Sequence, residues 1–67
     1  MLAVNVKKLR KQHKLSQEEL AQRARITYST LIKIESGANN NPTIKTLQKI
    51  STALNVTVDE LIKKHRG

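Results

Sequence analysis

The chain has 67 residues, enough for a single domain over residues 1–67 with a core near the lower limit for folding without cross-links. It contains no cysteine, which excludes disulfides and thiolate metal sites, and no apolar run is long enough to span a membrane. The balance of 13 Lys and Arg against 5 Asp and Glu gives a net charge of +8, which favours polyanionic partners.

The first predicted helix runs from Ala3 to His13, with apolar residues and His13 on its inner side and lysines on its outer side. Arg10 falls at the border of the apolar side, where a buried guanidinium needs a carboxylate partner. Lys14 takes a turn position that suits glycine, because a left-handed conformation costs a residue with a Cβ about 1 kcal/mol. The apolar residues before these charges are followed by no cleavage site, so no signal peptide is predicted.

The next stretch, residues 15–37, is predicted to form two short helices joined by a tight turn. Ser16 and Glu19 have the spacing of a capping box, which starts the second helix at Gln17. This helix is expected to end near Arg25. Its inner side is predicted to consist of Leu20, Ala21 and Ala24.

The third helix is predicted to be capped by Thr27 and to stop at Gly37 in a left-handed conformation. Leu31 and Ile34 lie on its inner side. The remaining positions of the first two turns form one contiguous outward surface, consisting of Tyr28, Ser29, Ile32 and Lys33. Such a surface suits a groove.

A polar loop over residues 36–42 separates this pair from the rest of the chain. Its three asparagines either offer donors to an anion or simply tolerate loop conformations. Thr43 is predicted to cap a fourth helix, and Asn55 to end it in a left-handed conformation. The apolar side of that helix is predicted to consist of Ile44, Leu47, Ile50 and Leu54.

The fifth helix repeats the pattern of the second, with Thr57 and Glu60 at capping-box spacing. Its predicted apolar side is Val58, Leu61 and Ile62, and it is predicted to close with Lys63, Lys64, His65 and Arg66, where cations suit the helix dipole. Both His13 and His65 are interpreted as solvated residues at helix ends rather than metal ligands. Five helices of roughly 7 to 12 residues joined by short turns predict an all-α fold.

Four stretches of the chain together resemble the Cro/C1-type helix-turn-helix family, also called the XRE family, to which phage repressors belong. They are LSQEELA at 15–21, IESG at 34–37, NPT at 41–43 and LNVTVDEL at 54–61. The resemblance implies a five-helix lambda-repressor-like DNA-binding domain, with the helix-turn-helix formed by the second and third helices. Lys14 and Arg25 depart from the family, which usually has glycine at both positions. Either both turns are strained, or their cationic side chains serve to contact phosphate.

The resemblance also implies roles for individual residues. The third helix would enter the major groove of DNA, while the second would lie across the backbone. Arg10 would form an ion pair with Glu35. The implied DNA contacts are Gln17, Thr27, Tyr28, Ser29, Ile32, Lys33, Asn39, Asn40 and Asn41.

Two of these residues leave alternatives open. Ile32 either touches a thymine methyl group or packs on a neighbouring loop. Tyr28 either stacks on sugar or methyl groups and reaches phosphate with its hydroxyl, or folds back over the helix surface.

These observations favour a transcriptional regulator, most simply a repressor, which binds double-stranded DNA at an inverted repeat as a homodimer. The fifth helix is the expected dimer seam, with Val58 and Ile62 as its candidate residues. The alternative is an antitoxin or other interaction module that neutralises a partner protein, with DNA binding secondary. An enzyme is the weakest class, since no catalytic constellation, metal site or cofactor motif is present. The expected location is the cytoplasm of a prokaryote or a phage-infected cell, in association with the nucleoid.

Overall fold

The structure is a computed structural model that describes residues 1–64, and within this range it contains five helices and no strand. The predictions for His65 and Arg66 lie outside the described residues. The helices are α1 (Leu2–Gln12), α2 (Gln17–Ala24), α3 (Tyr28–Ser36), α4 (Ile44–Leu54) and α5 (Val58–Ile62). The predicted all-α architecture, with α2 and α3 as the helix-turn-helix, is confirmed.

The starts of four helices are fixed by side-chain caps. The hydroxyls of Ser16, Thr27, Thr43 and Thr57 each accept a hydrogen bond from the backbone N–H three residues later, at 3.1–3.2 Å. At α2 the capping box is complete, because the Glu19 carboxylate accepts a bond of 2.8 Å from the backbone N–H of Ser16. The hydrogen bonds from the Ser16 backbone and side chain lower the pKa of Glu19. The predicted helix starts at Gln17 and after Thr27 and Thr43 are therefore confirmed.

The ends of α2, α3 and α4, and the turn after α1, use left-handed residues, as predicted for Lys14, Gly37 and Asn55. Gly37 has a φ of 84° after α3, and Asn55 has a φ of 56° after α4. Lys14 and Arg25 adopt the same conformation with φ values of 56° and 57°. Both therefore carry a side chain at a position where a residue without a Cβ would be under less strain.

Replacing Lys14 with glycine is expected to raise the free energy of unfolding by about 0.5–1 kcal/mol, because glycine relieves the left-handed strain but loses more chain entropy on folding. Urea titration monitored by helical circular dichroism measures the change. The matched control is Gly37→Ala, which should lower the same quantity by about 1 kcal/mol. An added Cβ there would meet nothing within 4 Å, so the control reports φ alone. A loss of stability in Lys14→Gly would contradict the expectation.

The core is built from the inner sides of all five helices. Helix α1 packs against α3 and α5, α2 packs against α3 and α4, and α4 packs against α5. The large side chains that are fully buried are Val6, Leu20, Leu31, Ile34, Ile50, Leu54 and Leu61. These are aliphatic throughout, so the fold depends on close interlocking of branched side chains rather than on an aromatic centre.

Three residues predicted to face inward are exposed instead: His13, Ile44 and, in α5, Ile62. The exposure of His13 agrees with its interpretation as a solvated residue at a helix end. His13 is the C-cap of α1, and its Nδ1 lies 2.8 Å from the Leu9 carbonyl oxygen in an exposed position. The chain leaves the helix at this residue, so the ring turns towards solvent. Ile44 is 64% exposed, because it is the first residue of α4 and precedes the turn at which that helix meets the core.

The fifth helix is shorter than predicted, with 5 residues. Its capping box is incomplete: Thr57 accepts from the Glu60 backbone N–H, but the Glu60 carboxylate lies 3.7 Å from the Nζ of Lys63. Lys63 has extended backbone angles and ends the helix, so Lys63 and Lys64 do not continue it. Ile62 is 48% exposed rather than part of the inner side. One turn of helix is too short to bury three apolar residues on one side.

A buried amide joins the two ends of the described chain. The Nδ2 of Asn5 donates to the carbonyl oxygens of Leu61 at 2.9 Å and Lys63 at 2.7 Å. Leu61 belongs to the last turn of α5, whose carbonyls have no partner within the helix, and Lys63 is the C-cap residue that follows it. Asn5 therefore performs, from a distant helix, the task of a C-terminal cap.

Replacing Asn5 with leucine is expected to lower the free energy of unfolding by about 1–3 kcal/mol, because the side chain is 4% exposed and its loss leaves buried carbonyl groups unpaired. The matched control is Gln12→Leu, an exposed amide on the same helix, which should change stability by less than about 0.5 kcal/mol. Chemical denaturation of both variants provides the measurement. Equal effects in the two variants would show that the Asn5 bonds contribute nothing.

Candidate DNA interface

The outward side of α3 is the surface that the sequence singled out for a DNA groove. Tyr28 is 49% exposed, and Ser29 and Lys33 are also exposed. They stand on the first two turns of a helix whose opposite side buries Leu31 and Ile34 completely. Because the inner side is fixed in the core, the outward side is presented on a rigid support.

Two other predicted DNA contacts, Ile32 and Thr27, are partly engaged within the protein. Ile32 is half-buried, so its side chain only partly belongs to the outward surface. The Thr27 hydroxyl accepts from the Thr30 backbone N–H at 3.1 Å and lies 2.8 Å from the Thr30 hydroxyl. Its hydroxyl is therefore used to start α3, and its carbonyl oxygen accepts from the Leu31 backbone N–H at 3.2 Å.

Tyr28 lies beside α2 rather than projecting freely. With Glu18, Gln22 and Ile26 it lines a shallow cleft of about 280 Å³ at the turn between the two helices. Half of its surface nevertheless stays open. The ring therefore stands at the edge of the outward surface, where α2 limits its movement on one side.

A buried ionic cluster connects α1, α2 and α3 behind this surface. The Arg10 Nε donates to Glu35 Oε2 at 2.7 Å, and a second guanidinium nitrogen donates to Glu35 Oε1 at 3.1 Å. The third guanidinium nitrogen donates to the Leu15 carbonyl oxygen at 2.8 Å. The Glu35 side chain is 2% exposed and that of Arg10 11%. The structure thus contains the pair that the family resemblance implies, and this pair also holds the turn between α1 and α2.

Gln17 is the second partner of Glu35 and donates the third hydrogen bond that this carboxylate accepts. Its Nε2 donates to Glu35 Oε1 at 3.1 Å, so the side chain is directed along the N-terminal end of α2 and half-buried. The sequence reasoning gave Gln17 a phosphate contact and did not foresee this bond. One amide hydrogen and the amide oxygen take no part in this bond, and Gln17 is the first residue of α2, where the free backbone N–H groups favour anions.

The loop after α3 is tied back to that helix. The Asn39 backbone N–H donates to the Lys33 carbonyl oxygen at 2.9 Å, and the Asn39 side-chain oxygen accepts from the Asn41 backbone N–H at 3.1 Å. Asn39 is half-buried, whereas Asn40 and Asn41 are exposed. Asn39 therefore shapes the loop, and its two neighbours are the ones left open to a ligand.

The two candidate residues of the dimer seam lie in different surroundings. Val58 is half-buried and packs against the core, whereas Ile62 is largely exposed. Ile62 lines a broad groove of about 630 Å³ together with Met1 and Val4, which are also exposed, and with Pro42. The exposed apolar surface around Ile62 thus extends beyond α5 to the start of the chain.

Sequence reasoning missed two hydrogen-bonded links between helices. One joins the Asn5 amide to the end of α5, and the other joins Gln17 to Glu35. Both join residues that are far apart in the chain, and no spacing rule predicts such pairs. In residues 1–64 no group of three or more His, Asp or Glu is placed to hold a metal ion. No helix of that range is long and apolar enough to cross a bilayer.

Comparison with known proteins gives a consistent picture. The helix-turn-helix family model HTH_3 matches residues 6–61. The HTH-type transcriptional regulator SinR of Bacillus subtilis (strain 168) is 38% identical over 66 residues, which are 97% of this chain and 60% of that protein. The chain therefore spans less than two thirds of the length of this relative.

Two solved structures have the same fold. A crystal structure of SinR in complex with DNA, described as the master regulator for biofilm formation, superposes with a TM-score of 0.91 at 36% identity, covering 94% of this chain and 100% of that one. A complex of SinR with the protein SinI gives the same TM-score and identity, covering 96% of this chain and 62% of that one. The match from α1 into α5, together with the similarity to SinR, shows that the chain belongs to the helix-turn-helix family.

Proposed function

We propose that this chain is a sequence-specific DNA-binding transcriptional regulator that reads the major groove with α3. The observation that carries the proposal is the exposed surface of Tyr28, Ser29 and Lys33 on a helix fixed from behind by Arg10 and Glu35. SinR, which is similar over almost the whole of this chain, has been solved with DNA. The net charge of +8 supports a polyanionic ligand.

The roles of individual residues follow from their positions. Tyr28, Ser29 and Lys33 contact base edges and nearby phosphates, with Thr27 at the entrance to the groove. Gln17 contacts phosphate through the part of its amide that Glu35 leaves open. Asn40 and Asn41 contact the next phosphates, Asn39 orients them, and the exposed edge of Ile32 meets a methyl group.

The functional unit is a homodimer on an inverted repeat. One domain of this size buries too little surface for tight specific binding, and two half-sites add their energies. Ile62 lies in the seam, and Val58 supports it from the core side. Residues 1–67 act as one domain, without catalysis or cofactor, as a repressor in the prokaryotic or phage-infected cytoplasm close to the nucleoid.

Selection from a random duplex library at two salt concentrations tests this function. A regulator of this kind enriches an inverted repeat with half-site centres about 10 base pairs apart, and the enrichment survives at the higher salt concentration. Light scattering of the complex should give two chains per duplex. Bulk binding that vanishes with salt and selects no repeat would refute the proposal.

A second function is an antitoxin-like module that covers a partner protein. The observation in its favour is the apolar groove bounded by Met1, Val4 and Ile62, all about half-exposed or more. SinR has also been solved with a protein, SinI. Co-purification with the product of an adjacent reading frame, lost on Val4→Lys while DNA selection is unchanged, would support this function beside the first.

A further inference from the structure

A cleft between the C-terminal end of α2 and the exposed side of α4 carries a concentration of positive charge that the proposed function does not use. Its volume is about 420 Å³. No acidic residue lines it. The lining residues are Arg23, Ala24, Arg25, Lys45, Gln48, Lys49 and Thr52.

The side of α4 in this cleft is a regular polar stripe. Lys45, Gln48, Lys49 and Thr52 recur at the spacing of one helix face, and all four are exposed. Neither Lys45 nor Lys49 belongs to the two ion pairs seen within residues 1–64 between Arg10 and Glu35 and between Lys63 and Glu60.

The α2 side of the cleft adds two arginines. Arg23 lies one turn beyond Glu19 and is among the groups that lower the pKa of that carboxyl. Arg25 holds its left-handed position with its side chain exposed. The four cations therefore converge from two helices on one concave surface, which focuses their field.

This surface is separate from the outward side of α3. Helix α2 packs against both α3 and α4, and the cleft includes no residue of α3. An anion bound in the cleft therefore need not touch Tyr28, Ser29 or Lys33.

We propose that this cleft is a second, sequence-independent binding site for the phosphate backbone of duplex DNA. Arg, Lys, Gln and Thr are the side chains that contact phosphate in protein–DNA complexes. Lys45 and Lys49 are separated by a rise of about 6 Å along α4. Since one strand carries a charge about every 3.4 Å of duplex axis, the two ammonium groups reach different phosphates.

An acidic protein segment fits the cleft less well than DNA. Protein partners obtain most of their affinity from aromatic and large aliphatic anchors seated in apolar pockets. The only apolar residue that lines this cleft is Ala24, which is buried. The lining offers charge and hydrogen bonds without an anchor site, and this suits a uniform polyanion.

The phosphates come either from the flanking part of the duplex that α3 reads or from a second duplex. The inference rests on the proposed function only in naming DNA as the polyanion, and it requires no base reading by α3. Its test therefore uses a duplex of random sequence, whereas the test of α3 uses a selected repeat.

The test compares Lys45→Gln/Lys49→Gln with the matched control Lys7→Gln/Lys11→Gln, which removes the same charge from exposed positions on α1. Glutamine preserves helix propensity, so both variants should keep their helical circular dichroism. The slope of the logarithm of the binding constant against the logarithm of salt concentration is measured on a random 30-base-pair duplex. The cleft variant should lose about 1.8 units of slope, about 0.9 for each phosphate contact, and the control much less.

Arg23→Gln/Arg25→Asn provides an independent variant, because asparagine tolerates the left-handed position. It should also reduce the slope more than the control does. If the flanking part of the same duplex fills the cleft, a duplex of about 10 base pairs is too short to reach it. The cleft variant and the control should then lose the same amount of salt slope on that duplex. If a second duplex fills it, capture of a labelled duplex by an immobilised one is lost in the cleft variant. Either result supports the site.

Three results would overturn the inference. Equal loss of slope in cleft variant and control would assign the effect to bulk charge, and an unchanged slope would assign no phosphate to the cleft. In a third result, polyglutamate binds the original chain but not the cleft variant, while both bind the duplex equally well. That result would assign the cleft to an acidic protein. Retained sequence preference in the cleft variants, with Tyr28→Ala/Lys33→Ala losing it, separates this site from the proposed reading surface.

Discussion

Replacing Arg10 with methionine is expected to lower the free energy of unfolding by about 3–5 kcal/mol, the cost of leaving a buried carboxylate without its counter-ion. The Glu35 side chain is 2% exposed and accepts two of its hydrogen bonds from this guanidinium. The variant also removes the hydrogen bond of 2.8 Å that the guanidinium donates to the Leu15 carbonyl oxygen. Urea denaturation monitored by circular dichroism, at low temperature, measures the loss.

The expected loss approaches the whole stability of a domain of this length. At about 0.05–0.15 kcal/mol per residue, 67 residues correspond to roughly 3–10 kcal/mol in total. The single variant should therefore be largely unfolded at 37 °C.

The double variant Arg10→Met/Glu35→Leu is the informative control. It removes the stranded charge together with its partner, and buried ion pairs replaced by apolar residues of similar size often lose little stability. We expect it to recover more than half of the loss, although Gln17 also loses an acceptor. A double variant as unstable as Arg10→Met would mean that packing of the arginine, not the isolated carboxylate, causes the defect.

Replacing Tyr28 and Lys33 together with alanine is expected to weaken binding to a selected inverted repeat by a factor of about 30 or more. Each base-edge contact contributes about 1–3 kcal/mol, and the two side chains lie on one exposed surface. The fold should survive, because both are exposed and the caps of α3 are untouched. Fluorescence anisotropy with the repeat and with a scrambled duplex measures affinity and specificity together.

The single variants separate the roles of the two residues. If Lys33→Ala lowers the affinity for all duplexes equally and reduces the salt dependence of the binding constant by about one unit, Lys33 contacts phosphate. If the variant instead loses its preference at one base pair, Lys33 reads that base pair. Lys11→Ala, which removes one exposed charge from α1, is the control. Unchanged affinity for the repeat in the folded double variant would disprove the role of this surface.

Local signals in the sequence predicted most of the framework. Ser16 and Thr27 cap helices because a short hydroxyl side chain reaches an N–H three residues away, and Gly37 and Asn55 end helices because they tolerate left-handed angles. These interactions lie within a few residues of the chain. They can therefore be read without knowing how the helices pack.

The errors have a different origin. His13 and Ile44 follow the apolar period of their helices, but each stands at a helix end, where the neighbouring helix no longer covers it. The Gln17 bond to Glu35 and the Asn5 bonds to α5 cross from one helix to another. Periodicity assigns a residue to a side of its own helix, and only the packed structure shows what that side meets.

The ionic cluster has a consequence for cooperativity. One guanidinium joins the carboxylate of α3 to the turn before α2, and the same carboxylate holds the first side chain of α2. The three helices cannot separate without breaking these largely buried bonds. A partly melted form that still recognises its ligand is therefore not accessible, and ligand recognition should disappear at the same denaturant concentration as the helices themselves.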